Sequence, residues 1–106
     1  MNFSERTLMS LWELLGGEEV RPTLFTMTNA RTFYMEKRVE FPEATNCVLK
    51  VTPQGNRYEV IQLLLNDKMD VIKLSDDTCV GRRLLAKSIA PDVVRFLGGE
   101  KWKLLD

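Results

Sequence analysis

The chain contains no histidine, and that absence removes more chemistry than any residue present supplies. Histidine is the side chain whose ordinary pKa lies nearest neutrality, so the commonest general base, the usual catalytic triads and most zinc sites are excluded together. An enzyme built on this sequence would have only carboxylates, lysine, tyrosine or a thiol to work with. Cysteine is scarce as well. Cys47 and Cys79 lack CxxC spacing, and both are expected to be free, buried thiols that pack as small hydrophobes. Net charge is missing too: 15 Lys and Arg balance 15 Asp and Glu. No long-range field therefore draws the chain to nucleic acid or to an anionic membrane.

Motifs are equally sparse. There is no P-loop, GxGxxG, GxSxG or EF-hand pattern, and Gly16-Gly17 and Gly98-Gly99 follow expected helices, the wrong end for binding phosphate. Asp76-Asp77 reads as a helix cap rather than a metal site. The opening stretch, MNFSERTLMSLWELLGG, is interrupted by Glu5, Arg6 and Glu13. It suits neither a signal peptide nor a membrane span, so a cytoplasmic location without membrane contact is expected. No catalytic, cofactor-binding or metal-binding residue is identified.

The 106 residues, 44% apolar and 28% charged, suit one globular domain. Its organising stretch is Thr45 to Leu74, read as three consecutive antiparallel strands. Pro53-Gln54-Gly55-Asn56 is dense in turn formers. A four-residue loop there pairs Thr52 with Arg57, Val51 with Tyr58, Leu49 with Val60 and Lys50 with Glu59, matching like with like on both faces, which a three-residue loop would not. A two-residue turn at Asn66-Asp67 then sets Leu64 beside Met69, Gln62 beside Val71 and Ile61 beside Ile72. One face carries Leu49, Val51, Tyr58, Val60, Leu64, Met69 and Val71. The other mixes Val48, Ile61, Leu63 and Ile72 with Lys50, Glu59 and Asp70. Apolar residues on both faces imply that helices or a partner chain cover the second face as well.

Before the ribbon, Ser4 caps an expected helix over Ser4 to Leu15, whose stripe of Leu8, Leu11, Trp12 and Leu15 places Trp12 in the core. Glu5, Glu13, Glu18 and Glu19 outweigh Arg6 and make this first segment acidic. Arg21 to Thr28 and Thr32 to Phe41 follow as expected strands around Asn29-Ala30. In the second of these, Phe33, Met35, Val39 and Phe41 alternate with Tyr34, Glu36, Arg38 and Glu40. Lys37 interrupts the apolar side and is placed near a sheet edge, and Pro42 ends the strand. After the ribbon, Ser75 to Thr78 starts a helix over Cys79 to Ala90 with Val80, Leu84, Leu85 and Ile89 on one side, despite Gly81, which costs about 1 kcal/mol in a helix. Pro91 opens another helix to Leu97, stopped by Gly98-Gly99. The tail EKWKLLD alternates Trp102 and Leu104 with Lys101 and Lys103, as an added edge strand would. The expected fold is α+β: an N-terminal helix, a five-stranded antiparallel meander and one or two C-terminal helices.

One cluster invites a functional reading. Arg82, Arg83 and Lys87, with Arg83 and Lys87 four apart on the expected helix, are followed by Arg95, Lys101 and Lys103 around Trp102. Basic residues interleaved with an aromatic can hold phosphate and stack a base, although residues 75–106 hold six basic and five acidic side chains and are nearly neutral. Nucleic acid is thus the second candidate partner. The first is another protein or a second copy of the chain, with Trp102 as the favoured contact residue. The expectation is a small non-enzymatic binding or regulatory module that acts through protein contacts and forms a homo-oligomer. A ligand-holding half-barrel, or a thiol enzyme using Cys47 or Cys79, stands third.

Overall fold

The computed structural model describes residues 22–105. The expected helix over Ser4 to Leu15, Trp12 included, lies outside the described residues. Within them the elements run β1 (Leu24–Phe25), α1 (Met27–Glu40), β2 (Asn46–Gln54), β3 (Arg57–Leu65), β4 (Gly81–Ala86), β5 (Ser88–Ile89), α2 (Pro91–Leu97) and β6 (Trp102–Leu104). The class is α+β. A four-stranded antiparallel sheet has the order β4-β3-β2-β6, and β1 and β5 form a separate parallel pair. This sheet replaces the expected five-stranded meander. No helix among the described residues is long and apolar enough to cross a membrane.

The hairpin of β2 and β3 exists, in a tighter form than expected. Pairing runs from Asn46 with Leu65 to Gln54 with Arg57, leaving a two-residue loop of Gly55 and Asn56 in place of four. Gly55 has φ 62, which a type II′ turn requires at its first central position and glycine adopts without penalty. Pro53 therefore stays in the ladder opposite Tyr58. Alternation down the hairpin points its nitrogen away from β3, as it does that of Val51, which donates to the Lys101 carbonyl at 3.0 Å. β6 has ended by Pro53, so the missing N–H costs no bond. The register differs by two residues, so each side chain keeps its expected face while its partner changes. Lys50 opposes Ile61 and Thr52 opposes Glu59, and the expected pairing of Lys50 with Glu59 does not form.

The second turn differs by an odd number and does exchange faces. Asn66 Oδ1 accepts from the backbone N–H of Lys68 at 2.9 Å and of Asp70 at 3.0 Å, so this asparagine caps a wider turn instead of occupying a two-residue one. Leu65 bridges Val71 and Lys73 bridges Cys79 as isolated pairs. The expected third strand is reduced to these contacts, and β4 takes its place beside β3. Ile72 accordingly joins the cluster that includes Leu49 and Leu64, whereas Met69 and Val71 pack with Val48 and Ile61.

Residues 27–40 form a helix where strands were expected. Thr26 Oγ1 accepts from the Asn29 N–H at 3.1 Å and caps it. Met27, Ala30 and Tyr34 are buried at helical spacing, while Met35 and Val39, assigned by alternation to an apolar side, are 66% and 83% exposed. Ala, Arg, Met, Glu and Lys dominate the segment and favour helix over strand. Lys37 is on this helix, not at a sheet edge, and pairs with Glu40 at 3.2 Å. The helix stops before Pro42, which disfavours helical geometry in Phe41.

The expected helix over Cys79 to Ala90 is likewise replaced, by β4 and β5. Gly81 shows why: an added Cβ would collide with the Gln62 carbonyl, so the close strand approach selects glycine. α2 spans Pro91–Leu97 as expected, ending at Gly98 in the left-handed conformation with φ 58. β6 pairs with β2 and forms the expected short edge strand.

One sheet face, the helix side, packs Leu49, Val60, Leu64 and Leu84 against α1 and α2. The far face buries Val48, Ile61 and Leu63 together with Cys79 and, from the 66–80 connection, part of Met69 and Val71. Full burial of each leucine contributes about 2 kcal/mol. Both faces of the β2–β3 ribbon are therefore buried within a single chain.

The Gly81 contact yields a paired prediction. Gly81→Ala should lower the unfolding free energy by about 3 kcal/mol through overpacking against backbone, whereas Gly55→Ala should cost only about 1 kcal/mol of left-handed strain. Urea unfolding midpoints measure both, and equal losses would refute the close-approach argument.

Candidate functional site

The basic residues singled out in the sequence do not share one surface. Arg82 and Arg83 are neighbours on β4 and so face opposite ways: Arg82 opposes Gln62 on the helix side and Arg83 opposes Ile61 on the far side. The expected helical face joining Arg83 to Lys87 does not exist, and Lys87 is exposed between β4 and β5. Arg95 is exposed on α2. Lys101, Trp102 and Lys103 lie at or beside β6, the opposite edge of the sheet from β4. Three strand spacings, about 14 Å, separate the two edges. Lys103 and α2 are brought together directly: its Nζ donates to the Phe96 carbonyl at 3.2 Å and lies 5.3 Å from that ring's centroid. Arg83 Nε donates to Glu59 Oε2 at 2.8 Å in a largely buried ion pair, and Trp102 packs into the far-side cluster. Cations on both edge strands also have a structural use, since charged edges resist pairing with other sheets.

Arg82 is held by several partners at once. Gln62, fully buried, donates through Nε2 to the Ala30 carbonyl at 3.1 Å, and its Oε1 accepts from Arg82 Nε at 2.7 Å. Arg82 Nη2 donates to the Asn29 carbonyl at 3.2 Å and to Asn29 Oδ1 at 2.7 Å. Its guanidinium lies over Phe33, 4.2 Å from the ring centroid. Burial brings its pKa down to about 10, with nearby Cys47 and Glu36 opposing the shift. The junction fastens the start of α1 to the sheet. Gln62 and Asn29 were not identified from sequence as members of it, although one amide inside the apolar run VIQLLL signals a group that must find buried partners.

Several cavities open near these elements, among them one of about 510 Å³ at Glu100, Trp102, Lys103 and Leu104. A polar one of about 400 Å³ is lined by Arg82, Thr28, Asn29, Thr32, Phe33 and Glu36. An apolar groove of about 250 Å³ lies between the hairpin end and α2, formed by Val51, Pro53, Tyr58, Ile89, Val94 and Leu97, with Glu100 on its lining. Another of about 370 Å³ includes Lys37, Glu40, Asp76, Thr78 and Cys79. Tyr58 and Val94 were not recognised as surface candidates. Tyr58 becomes one only once the two-residue loop sets it beside Pro53.

Cys47 and Cys79 are free and buried, as expected. Cys47 Sγ donates to the Val48 carbonyl at 3.6 Å and accepts from Gln62 Nε2 at 3.8 Å. Burial raises the Cys79 thiol above its ordinary value, Lys73 opposing and Asp77 reinforcing the shift. Asp76-Asp77 does not cap a helix. Asp76 Oδ1 accepts from the Thr78 N–H at 3.0 Å within a turn, and the side-chain and backbone hydrogen bonds from Thr78 hold its carboxyl below the usual range. Among the described residues, no group of three or more acidic or thiol side chains is placed to hold a metal ion. No protein-family model matches the chain, and neither a curated protein nor a solved structure does.

Three measurements check the site's electrostatics and burial. Gln62→Leu keeps the volume and removes the acceptor of Arg82 Nε, so stability should fall by about 2 kcal/mol. For Cys79, a raised folded-state pKa means that its stabilising contribution is present below the ordinary thiol range and lost as pH rises through the folded value. Stability should therefore decline on the alkaline side, less steeply in Cys79→Ala, and iodoacetamide should modify either thiol only at the rate of unfolding. Fast modification of the native protein would contradict the burial.

Proposed function

We propose that the protein is a non-enzymatic binding module that acts through protein contacts, the first partner being a second copy of the chain. The supporting observation is the apolar groove at Val51, Pro53, Tyr58 and Val94, where Val94 is 59% exposed. An aromatic beside aliphatic groups in a concave surface is the composition of an interface anchor site. The chain also presents a complementary protrusion. Met35 and Val39 stand one helical turn apart on α1, exposed, in a segment that also holds Arg31 and Arg38. In a second copy these apolar tips would enter the groove, and one of the arginines would approach Glu100.

The middle of both sheet faces is already buried, so association of this kind uses the exposed turn end of the β2–β3 hairpin and a helix. The cations offered for nucleic acid are divided between two edges and two faces, which favours the protein reading over a single phosphate-tracking groove. The thiols, buried and without an activating cation strong enough to depress Cys79, favour a non-enzymatic reading.

Because groove and protrusion are different surfaces, the contact is heterologous. Sedimentation of the wild-type chain should show concentration-dependent association, weakened about tenfold or more by Val39→Glu or by Val94→Glu. Mixing the two variants should restore a dimer, since each retains the surface the other lacks. A strictly monomeric wild type, or variants that fail to complement, would overturn the proposal.

A further inference from the structure

The cavity at the start of α1 holds two opposite charges that do not meet. Arg82 and Glu36 both line it, yet no ion pair joins them among the described residues. The structural role of Arg82 uses Nε on Gln62 and Nη2 on Asn29. It leaves the Nη1 donors, which take part in no hydrogen bond among the described residues. Thr28 and Thr32, one turn apart on the same helix, add hydroxyls, and Phe33 adds an aromatic wall.

A ligand for this cavity has to satisfy both charges. A simple anion would bring a second negative charge toward Glu36, and a phosphate dianion would do so more strongly. A simple cation would face the guanidinium. We propose that the cavity binds a small zwitterion of the free α-amino acid class, its carboxylate accepting from Nη1 of Arg82 and its ammonium donating to the Glu36 carboxylate. The guanidinium is held by its other nitrogens and by Phe33, so binding requires little reordering of the cation, which favours affinity. The threonine hydroxyls serve as additional partners, and the side chain of the ligand extends along Phe33 or toward solvent. This site is independent of the groove at Tyr58 and Val94.

The test is a ¹H–¹⁵N NMR titration of the full chain with individual L-amino acids, with acetate, methylamine and inorganic phosphate as single-sign probes. At least one amino acid should shift the amides of Thr28, Thr32 and Glu36 and the Arg82 Nε–H saturably, binding about tenfold or more tightly than any single-sign probe. Arg82 also supports the fold, so the informative variant is Glu36→Gln, on the exposed side of α1. It should weaken amino-acid binding by about tenfold while leaving acetate binding unchanged or stronger. Absence of saturable shifts with every amino acid, acetate or phosphate binding as tightly, or unchanged amino-acid binding in Glu36→Gln would each overturn the proposal.

Discussion

Everything in this structure is placed by the unbroken ladder between β2 and β3, two strands of nine residues paired along their whole length. Because β3 carries β4 on its outer side and β2 carries β6 on its own, an error in that register would displace both edge strands of the sheet. Apolar packing alone does not hold it. A shift of two residues preserves the faces and would still bury leucines and valines. What separates the alternatives is chemistry at particular positions: glycine where the loop demands positive φ, proline beyond the reach of β6, and Gln62 where Ala30 and Arg82 can answer its amide.

Sequence reasoning reached the elements whose signals are local. Pro91 at a helix start with Gly98 at its end, and the alternation of Trp102 and Leu104 with lysines, are short-range patterns that tertiary contacts did not override. It failed where two periods coexist. Phe33, Met35, Val39 and Phe41 satisfy a strand-like alternation, but Met27, Ala30 and Tyr34 satisfy a helical one, and the Thr26 cap decides between them. At residues 79–90 the apolar side chains again fit a helix. The deciding contact, Gly81 against the Gln62 carbonyl, lies far away in sequence and has no local signature. The Arg82 junction was half legible: the arginine was singled out, but its partners Asn29 and Gln62 come from segments read as a turn and as ribbon interior.

Apolar residues on both ribbon faces implied cover for each, from helices or a partner chain. The single chain buries both. Among the described residues the exposed features include a groove at one end of the sheet, two apolar tips on α1 and a polar cleft at that helix's first turns, all of them small and peripheral. Such features suit contacts that form and dissolve, in contrast to the extended interface that an open sheet face would have required.

The position of β6 has a consequence for biosynthesis. The strand that shields one side of β2 is made from the last residues of the described chain, and β1 finds its mate β5 only after most of the polypeptide exists. A nascent chain emerging in order cannot complete its sheet piecemeal, because the central ribbon waits for both of its flanking strands. The β2–β3 hairpin is therefore made before either flanking strand exists, and until residues 102–104 emerge the outer edge of β2 stays bare.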